Sequence, residues 1–139
     1  MLGGVEIPHE VGLAGHSDAD VVAHAVADAV LGAAGLGDIG QLFPDDDPAY
    51  EGADSLRLLA AVAALVREAG FQLSNVDVVV VCEAPRLAPH RDGMAANLAA
   101  ALGIARAEVG VKATTTEGMG FEGRGEGVAA MAVCLLERL

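Results

Sequence analysis

The chain has 139 residues, of which 53% are hydrophobic, and its 20 acidic against 8 basic side chains give a net charge of -12. This length predicts one domain with a sizeable core, and the acidic balance disfavours nucleic acid and anionic lipid as partners. No apolar run is long enough to span a bilayer, and the first residues do not resemble an export signal. Cys82 and Cys134 lie in apolar runs without a C-x-x-C spacing, so we expect thiols in a cytoplasmic protein.

Three helices are predicted from the spacing of apolar residues. The first runs from about Asp20 to Ala34, ends at a glycine-rich turn, and has an apolar face of Val22, Val26, Ala29, Val30 and Ala33. The second runs from Asp54 or Ser55 to a stop at Gly70, with an apolar stripe of Leu58, Val62, Leu65 and Ala69. The third begins near Pro89, passes through Met94, Leu98 and Leu102, and ends at Gly103.

Three strands are predicted, at Val76 to Cys82, Val109 to Thr114 and Val128 to Leu136. Each is rich in valine or bounded by glycine and polar residues. Helices alternate with strands along the chain, so we expect an α+β fold in which helices pack on one face of a mixed β-sheet.

The first helix carries the most informative polar residues. Asp20, His24 and Asp28 are spaced by four residues and therefore project along one stripe of an otherwise apolar helix. Such a helix should be packed on most sides, where unpaired carboxylates are costly. A divalent metal on His24, with the aspartates as ligands or as acceptors that orient the imidazole, is one solution. The alternative is a capping aspartate, a core histidine and a surface aspartate; with His16 and Ser17 just upstream, we favour the metal and phosphate site.

Two further motifs contain residues suited to ligands. The first, Gly37 to Gly40 followed by Phe43 to Pro48, includes three consecutive acids that can hold magnesium or a hydroxylated substrate, although Asx-turns use the same residues. The second runs from Lys112 to Gly127 and places three threonines and Glu117 at a strand end before a series of glycines. This pattern suits phosphate, whereas a plain threonine-rich strand with a glycine hairpin is the alternative.

Taken together, these motifs resemble 2-C-methyl-D-erythritol 2,4-cyclodiphosphate synthases over essentially the whole chain. The resemblance rests on Gly15 to Asp20 with Ala23-His24-Ala25, on Leu36 to Gly40 with Leu42 to Asp45, on Val111 to Glu117, and on Gly123 to Gly127. It implies a lyase of the non-mevalonate isoprenoid pathway that forms a homotrimer and uses zinc with magnesium or manganese. The implied substrate is 4-diphosphocytidyl-2-C-methyl-D-erythritol 2-phosphate, and the products are the cyclic diphosphate and CMP.

The resemblance also implies roles for individual residues. His24 matches a zinc ligand, Glu117 matches the ligand of the second cation, and His16 and Thr115 match groups that stabilise the transition state. The remaining matches are substrate contacts. They comprise Ser17 on the phosphates; Asp38, Ile39, Gly40, Phe43, Pro44, Asp45, Asp46 and Asp47 around the methylerythritol; Cys82, Glu83, Ala84, Pro85, Arg86, Leu87 and Ala88 around the cytidine; Thr114 and Thr116 on the nucleotide phosphates; and Phe121 and Arg124.

At one place the sequence departs from the family pattern. Family members carry an Asp-x-His pair upstream of the segment that matches Leu2 to Val5, and no such pair occurs in these residues. We therefore expect a single domain over residues 1–139 that is truncated at its N-terminus relative to the family, with Met1 a start inside a longer reading frame. If this chain is the whole product, zinc binding should be weak or absent. The alternative function is a catalytically dead trimer that still binds nucleotide or isoprenoid diphosphate; a generic metal phosphohydrolase fits less well.

Overall fold

A computed structural model describes residues 1–7, 20–43, 55–83, 86–120 and 127–139. The strands and longer helices follow in the order α1 (Val21–Ala33), α2 (Ile39–Leu42), α3 (Ser55–Glu68), β1 (Phe71–Val81), α4 (Arg91–Leu102), β2 (Val109–Thr114) and β3 (Ala129–Arg138). Short 3-10 helices, Ala88–His90 and Arg106–Glu108, precede α4 and β2.

The three strands form one sheet in the order β2-β1-β3. β1 pairs with β2 in parallel and with β3 antiparallel, so the sheet is mixed. Successive side chains of a strand point to opposite faces. On β1, Val76, Val78 and Val80 are buried beneath the helices, while Asp77 between them is exposed on the other face.

The helices cover a single face of this sheet. α1 packs on β3 and α3, and α4 packs on β2 and α3. Their buried residues join the inward side of β1 in one core that includes Val22, Val26, Val30, Leu59, Val62, Val66, Met94, Leu98 and Leu102. The predicted α+β fold, with helices on one face of a mixed sheet, is confirmed. No helix in the described part of the chain has both the length and the apolar character needed to cross a membrane.

Three details of the predicted elements were wrong, the first being that Ala33 of the predicted apolar face of α1 is exposed. The buried side of α3 contains Leu59, Val62 and Val66, whereas Ala69 is exposed. The predicted stripe was therefore rotated by about one residue, because leucine and alanine occur nearly all round this helix. β1 begins at Phe71 rather than at Val76. The valine-rich pattern that predicted the strand starts at Val76, whereas the first five residues include the polar Gln72, Ser74 and Asn75. The bounds of α1, α4 and β2 agree closely with the prediction.

Candidate functional site

A buried carboxylate stands at the N-terminus of α1. The side chain of Asp20 is fully buried, and its oxygens accept hydrogen bonds from the backbone N–H groups of Gly3 (2.8 Å), Gly4 (2.8 Å) and Ala23 (3.0 Å) and from the Ser55 hydroxyl (3.2 Å). A buried charge is costly unless such donors surround it. We call these five residues the Asp20 cluster; it ties the N-terminal turn and the beginnings of α1 and α3 together.

The N-terminal turn favours glycine at its two central positions. Gly3 and Gly4 have φ values of 53° and 72°, which favour glycine, and Leu2 and Val5 exchange backbone hydrogen bonds of 2.8 and 2.9 Å on either side. A Cβ atom on Gly3 would lie 2.8 Å from the Cβ of Met94. Both glycine N–H groups bind Asp20, so this turn and the N-terminus of α1 are joined directly.

The other two residues of the predicted stripe on α1 are exposed. His24 donates its backbone N–H to the Asp20 carbonyl within the helix, and its side chain faces outward. The Asp28 carboxylate accepts from the backbone N–H of Ile39 at 2.8 Å, so it holds the first residue of α2. α1 is packed on most sides, as expected, but His24 and Asp28 lie on its exposed stripe. Of the alternative, the capping role of Asp20 and the surface position of Asp28 are confirmed, whereas the core histidine was wrong because His24 is exposed.

The predicted methylerythritol wall begins with a capped turn of helix. Asp38 caps α2 by accepting from the Gln41 backbone N–H at 2.9 Å, while the Gln41 side chain accepts from the Asp38 N–H at 3.3 Å. Ile39 is half-buried, Gly40 is exposed, and Phe43 enters the core. This short helix was not predicted from the sequence, although Asp38 followed by Gln41 is a capping signal that would have revealed it.

The parallel strands β1 and β2 finish at the same end of the sheet. The Cys82 N–H donates to the Thr114 carbonyl at 3.0 Å and continues the strand pairing. Beyond it lies a cleft of about 450 Å³ lined by Cys82, Glu83, Arg86, Leu87, Ala88, Ala113, Thr114 and Thr115. We call it the strand-end cleft. It brings together two sequence motifs, the predicted cytidine pocket and the predicted phosphate-binding threonines.

The chain turns sharply beside this cleft. Thr115 accepts the Glu117 N–H on its hydroxyl oxygen at 3.2 Å, Met119 donates its N–H to the Thr116 carbonyl at 3.1 Å, and the Thr116 hydroxyl donates to the Met119 carbonyl. Glu117 has a φ of 55°, a left-handed conformation that is strained for a residue other than glycine. Such strain costs about 1 to 3 kcal/mol and is concentrated at functional sites.

Glu83 connects the end of β1 to this turn. Its Oε1 accepts the backbone N–H of Gly118 at 2.8 Å. Its Oε2 is inaccessible to solvent and has no hydrogen-bond partner in the structure as described. The sequence placed Glu83 in the predicted nucleotide pocket, but no periodicity or spacing pointed to its bond with Gly118.

Comparison with known proteins identifies the fold and the motifs together. The sequence model of the YgbB family matches residues 1–137. The chain belongs to the YgbB family. A 2-C-methyl-D-erythritol 2,4-cyclodiphosphate synthase of Thiobacillus denitrificans is 59% identical over 99% of this chain and 86% of the relative, and one of Aromatoleum aromaticum is 61% identical over 99% and 84%. A bifunctional enzyme IspD/IspF of Desulforudis audaxviator is 62% identical, and this chain spans 35% of its length.

Solved structures of the YgbB family share the fold. The bifunctional IspDF of Campylobacter jejuni superposes with a TM-score of 0.93 at 45% identity, covering 100% of this chain and 38% of that one. IspF of Plasmodium falciparum, solved as a CDP complex, has a TM-score of 0.81 at 30% identity and covers 99% of this chain and 82% of that one. The predicted family is confirmed. The prediction that the chain is a cyclodiphosphate synthase, a lyase of isoprenoid biosynthesis, is confirmed with it.

Enzymes of the YgbB family use metal ions, and the described residues differ in how well they fit one. No group of three or more His, Cys, Asp or Glu residues that can hold a metal occurs among them. His24 alone does not fit a zinc ion, which takes at least three protein ligands. Magnesium is different, because one carboxylate together with substrate phosphates suffices. The exposed Glu117 beside the strand-end cleft fits that requirement.

The predicted site residues fall into three groups. None of the residues lining the strand-end cleft belongs to α1 or α2, so His24 and Asp38 lie apart from it. Thr116 and Glu117 adjoin the cleft through the turn that follows Thr115. Ten further predicted residues fall outside the described residues, and their roles stay predictions: His16, Ser17, Pro44, Asp45, Asp46, Asp47, Ala84, Pro85, Phe121 and Arg124.

Proposed function

We propose that this chain converts 4-diphosphocytidyl-2-C-methyl-D-erythritol 2-phosphate into 2-C-methyl-D-erythritol 2,4-cyclodiphosphate and releases CMP. The observation that carries this proposal is the strand-end cleft, where the predicted cytidine and phosphate residues line one cavity. Two further observations support it: the names of the YgbB relatives and the CDP bound in a solved neighbour. Residues 1–139 act in this proposal as one domain, because α1, α3 and α4 share a single core.

In the reaction, an oxygen of the 2-phosphate attacks the β-phosphorus, and the bond from that phosphorus to the bridging oxygen of CMP breaks. No covalent enzyme intermediate is needed, so positioning and electrostatics supply the catalysis. Thr115 suits this task, because its hydroxyl oxygen already accepts the Glu117 N–H and the hydroxyl hydrogen can donate to a phosphoryl oxygen. Thr114, which also lines the cleft, is placed to bind the same phosphates.

Divalent cations would neutralise charge on the diphosphate when they are bound. We assign the second cation, magnesium or manganese, to Glu117 on the fit described above. His24 is the proposed contribution of this chain's described residues to a zinc site, with its imidazole exposed on α1. Cations and backbone donors allow a protein with a net charge of -12 to bind an anionic substrate.

We propose a homotrimer, the assembly that the family resemblance implies, and the uncovered face of the sheet supports self-association. Three apolar side chains of β3 point outward on this face, with Met131 63%, Val133 71% and Leu135 56% exposed. Contiguous exposed apolar surface of this kind marks an interaction site. Val133→Asp should therefore reduce the mass in light scattering to that of a monomer of 14.0 kDa.

The decisive experiment is the release of CMP from the purified substrate with magnesium and zinc supplied. We expect release that stops when a chelator is added. A protein that binds cytidine diphosphate but releases no CMP would instead be the catalytically dead binding protein. To separate these two outcomes, the affinity for cytidine diphosphate is measured by calorimetry on the same sample as CMP release.

We place the protein in the cytoplasm, without nucleic acid or membrane partners. The acidic composition supports this, since a net charge of -12 repels phosphate backbones and anionic lipid surfaces. Cys82 is buried and Cys134 is half-buried, as expected for thiols kept reduced. Fractionation of cells that express the protein would test the location directly.

A further inference from the structure

Apart from a long bond of 3.5 Å from the hydroxyl of the adjacent Thr114 to the Thr115 carbonyl, the strained turn beside the strand-end cleft has one described hydrogen bond that reaches outside it. Within the turn, Thr115 accepts the N–H of Glu117, while Thr116 and Met119 bond to each other. These bonds fix the turn internally but do not attach it to the sheet. The bond from the Gly118 N–H to Glu83 Oε1, at 2.8 Å, spans 35 residues of sequence and supplies that attachment.

The geometry points to Glu83 as a positioning residue that acts through the turn on Glu117. Glu117 and Gly118 both have positive φ values, 55° and 84°. Glu83 accepts the N–H of Gly118, which belongs to the peptide bond that joins these two residues. A non-glycine residue stays in this conformation only where its surroundings hold it. If the bond is lost, Glu117 can relax towards negative φ, and its carboxylate moves relative to the cleft. Glu83 is thus a support for a cation ligand, with no contact to the cation itself.

The bond requires an acceptor oxygen on Glu83 but not its negative charge. Oε1 takes the Gly118 N–H, whereas Oε2 has no partner in the described part of the structure. A glutamine places an acceptor oxygen at the same position on a side chain of the same length. A positioning role therefore predicts that Glu83→Gln keeps Mn²⁺ binding, whereas a role of Glu83 as a cation ligand predicts that Glu83→Gln weakens it.

This inference rests on the proposed function, because it takes Glu117 as the ligand of the second cation. The test measures Mn²⁺ binding to the full chain in the presence of cytidine diphosphate by electron paramagnetic resonance, which is a readout independent of turnover. We expect Glu83→Ala to weaken Mn²⁺ binding about tenfold, the effect of losing one charge-assisted hydrogen bond. Glu83→Gln should stay within about threefold of the parent chain.

A matched control removes an acidic side chain that is hydrogen-bonded elsewhere. Asp92 pairs with Arg106 at 2.9 Å on the exposed surface at the beginning of α4, so Asp92→Ala should leave Mn²⁺ binding unchanged. Melting temperatures confirm that each variant is folded. Should Glu83→Ala fail to fold, Glu83→Met takes its place, because it keeps the length of the side chain without an oxygen acceptor.

Each outcome separates this inference from the proposed function. Glu117→Gln serves as the reference for loss of the cation ligand. If Glu117→Gln weakens Mn²⁺ binding but Glu83→Ala does not, the inference is overturned while the proposed function stands. If Glu83→Gln is as weak as Glu83→Ala, the charge of Glu83 is required and the positioning role is overturned. If Glu117→Gln changes nothing, the cation role of Glu117 is wrong and the inference fails with it.

Discussion

The Asp20 cluster and the strand-end cleft are built in opposite ways. Asp20 is fully buried and its carboxylate is surrounded by four donors, so the cluster has no capacity left for a ligand. At the cleft, by contrast, Thr114, Thr115 and Glu117 are exposed, and Glu117 is held in a strained backbone conformation. Saturated buried networks rigidify a fold, whereas exposed polar groups on supported loops bind ligands. The comparison assigns structural support to the first region and recognition to the second.

This difference also decides a question that the sequence left open. The aspartates of α1 were candidate metal ligands alongside His24. Asp20 cannot act as one without giving up donors that its buried charge requires. Asp28 is exposed, but one of its oxygens already holds the N–H of Ile39. Of the three residues, His24 is therefore the one whose side chain is not committed to a described structural bond.

The largest expected effect is the loss of the Asp20 cluster. Asp20→Ala leaves three backbone N–H groups and the Ser55 hydroxyl without their acceptor, so we expect the free energy of unfolding to fall by more than about 3 kcal/mol. Urea denaturation measures this. The matched control is Asp38→Ala, an exposed helix cap that should cost about 1 kcal/mol. Equal costs for the two variants would contradict the structural role assigned to the cluster.

How far the fold could be predicted is shown by α1 and β1. The apolar spacing of Val22, Val26 and Val30 predicts α1, and both of its ends are predicted to within one residue. Asp20 precedes the first helical residue, and the glycine-rich turn after Ala34 ends the helix. The beginning of β1 was not predictable, because Gln72 and Asn75 extend the strand only through pairing with β3, on either side of an irregularity in register at Ser74. That pairing depends on tertiary contacts, which no local pattern of residues expresses.

The candidate site was predictable to a similar degree. The threonines and the segment around Cys82 could each be recognised as motifs, but their meeting in one cleft follows from the parallel pairing of β1 and β2. The partners of Asp20 were not predicted, since Gly3 and Ser55 are distant in sequence and neither suggests an acceptor. Motifs thus indicate which residues matter, and topology decides which of them act together.

The recognition role of the cleft is tested by Thr115→Val. The variant keeps the shape of the side chain and removes the hydroxyl that we propose to donate to a phosphoryl oxygen, so kcat for CMP release should fall about 100-fold. Because Thr115 is exposed, the free energy of unfolding should change by less than about 1 kcal/mol. A large loss of stability with normal turnover would instead place Thr115 among the structural residues and break the contrast between the two regions.

A smaller effect is expected at Asp28, which supports α2 from α1. Asp28→Ala removes the acceptor of the Ile39 N–H, an exposed bond of 2.8 Å, and should lower stability by about 1 kcal/mol or less. Amide hydrogen exchange at Ile39 should accelerate while exchange in the middle of α1 stays unchanged. If Ile39 exchanges at the parent rate, α2 is held by its own capping box and Asp28 is dispensable.

The smallest effect concerns Cys134, on the side of β3 that faces α1. Its thiol donates to the Ala29 carbonyl at 3.5 Å, and burial raises its pKa above the ordinary value of 9.0. The unfolded chain would lose the thiol proton first as the pH rises, so this contribution to stability is full below about pH 9 and is lost towards the raised pKa. Cys134→Ala should therefore flatten the alkaline decline in the free energy of unfolding, by well under about 1 kcal/mol because the group is half-exposed. The free energy of unfolding of both chains is measured by urea denaturation from pH 8 to about pH 11. If it declines equally in both, the Cys134 thiol does not contribute to the packing of α1 on β3.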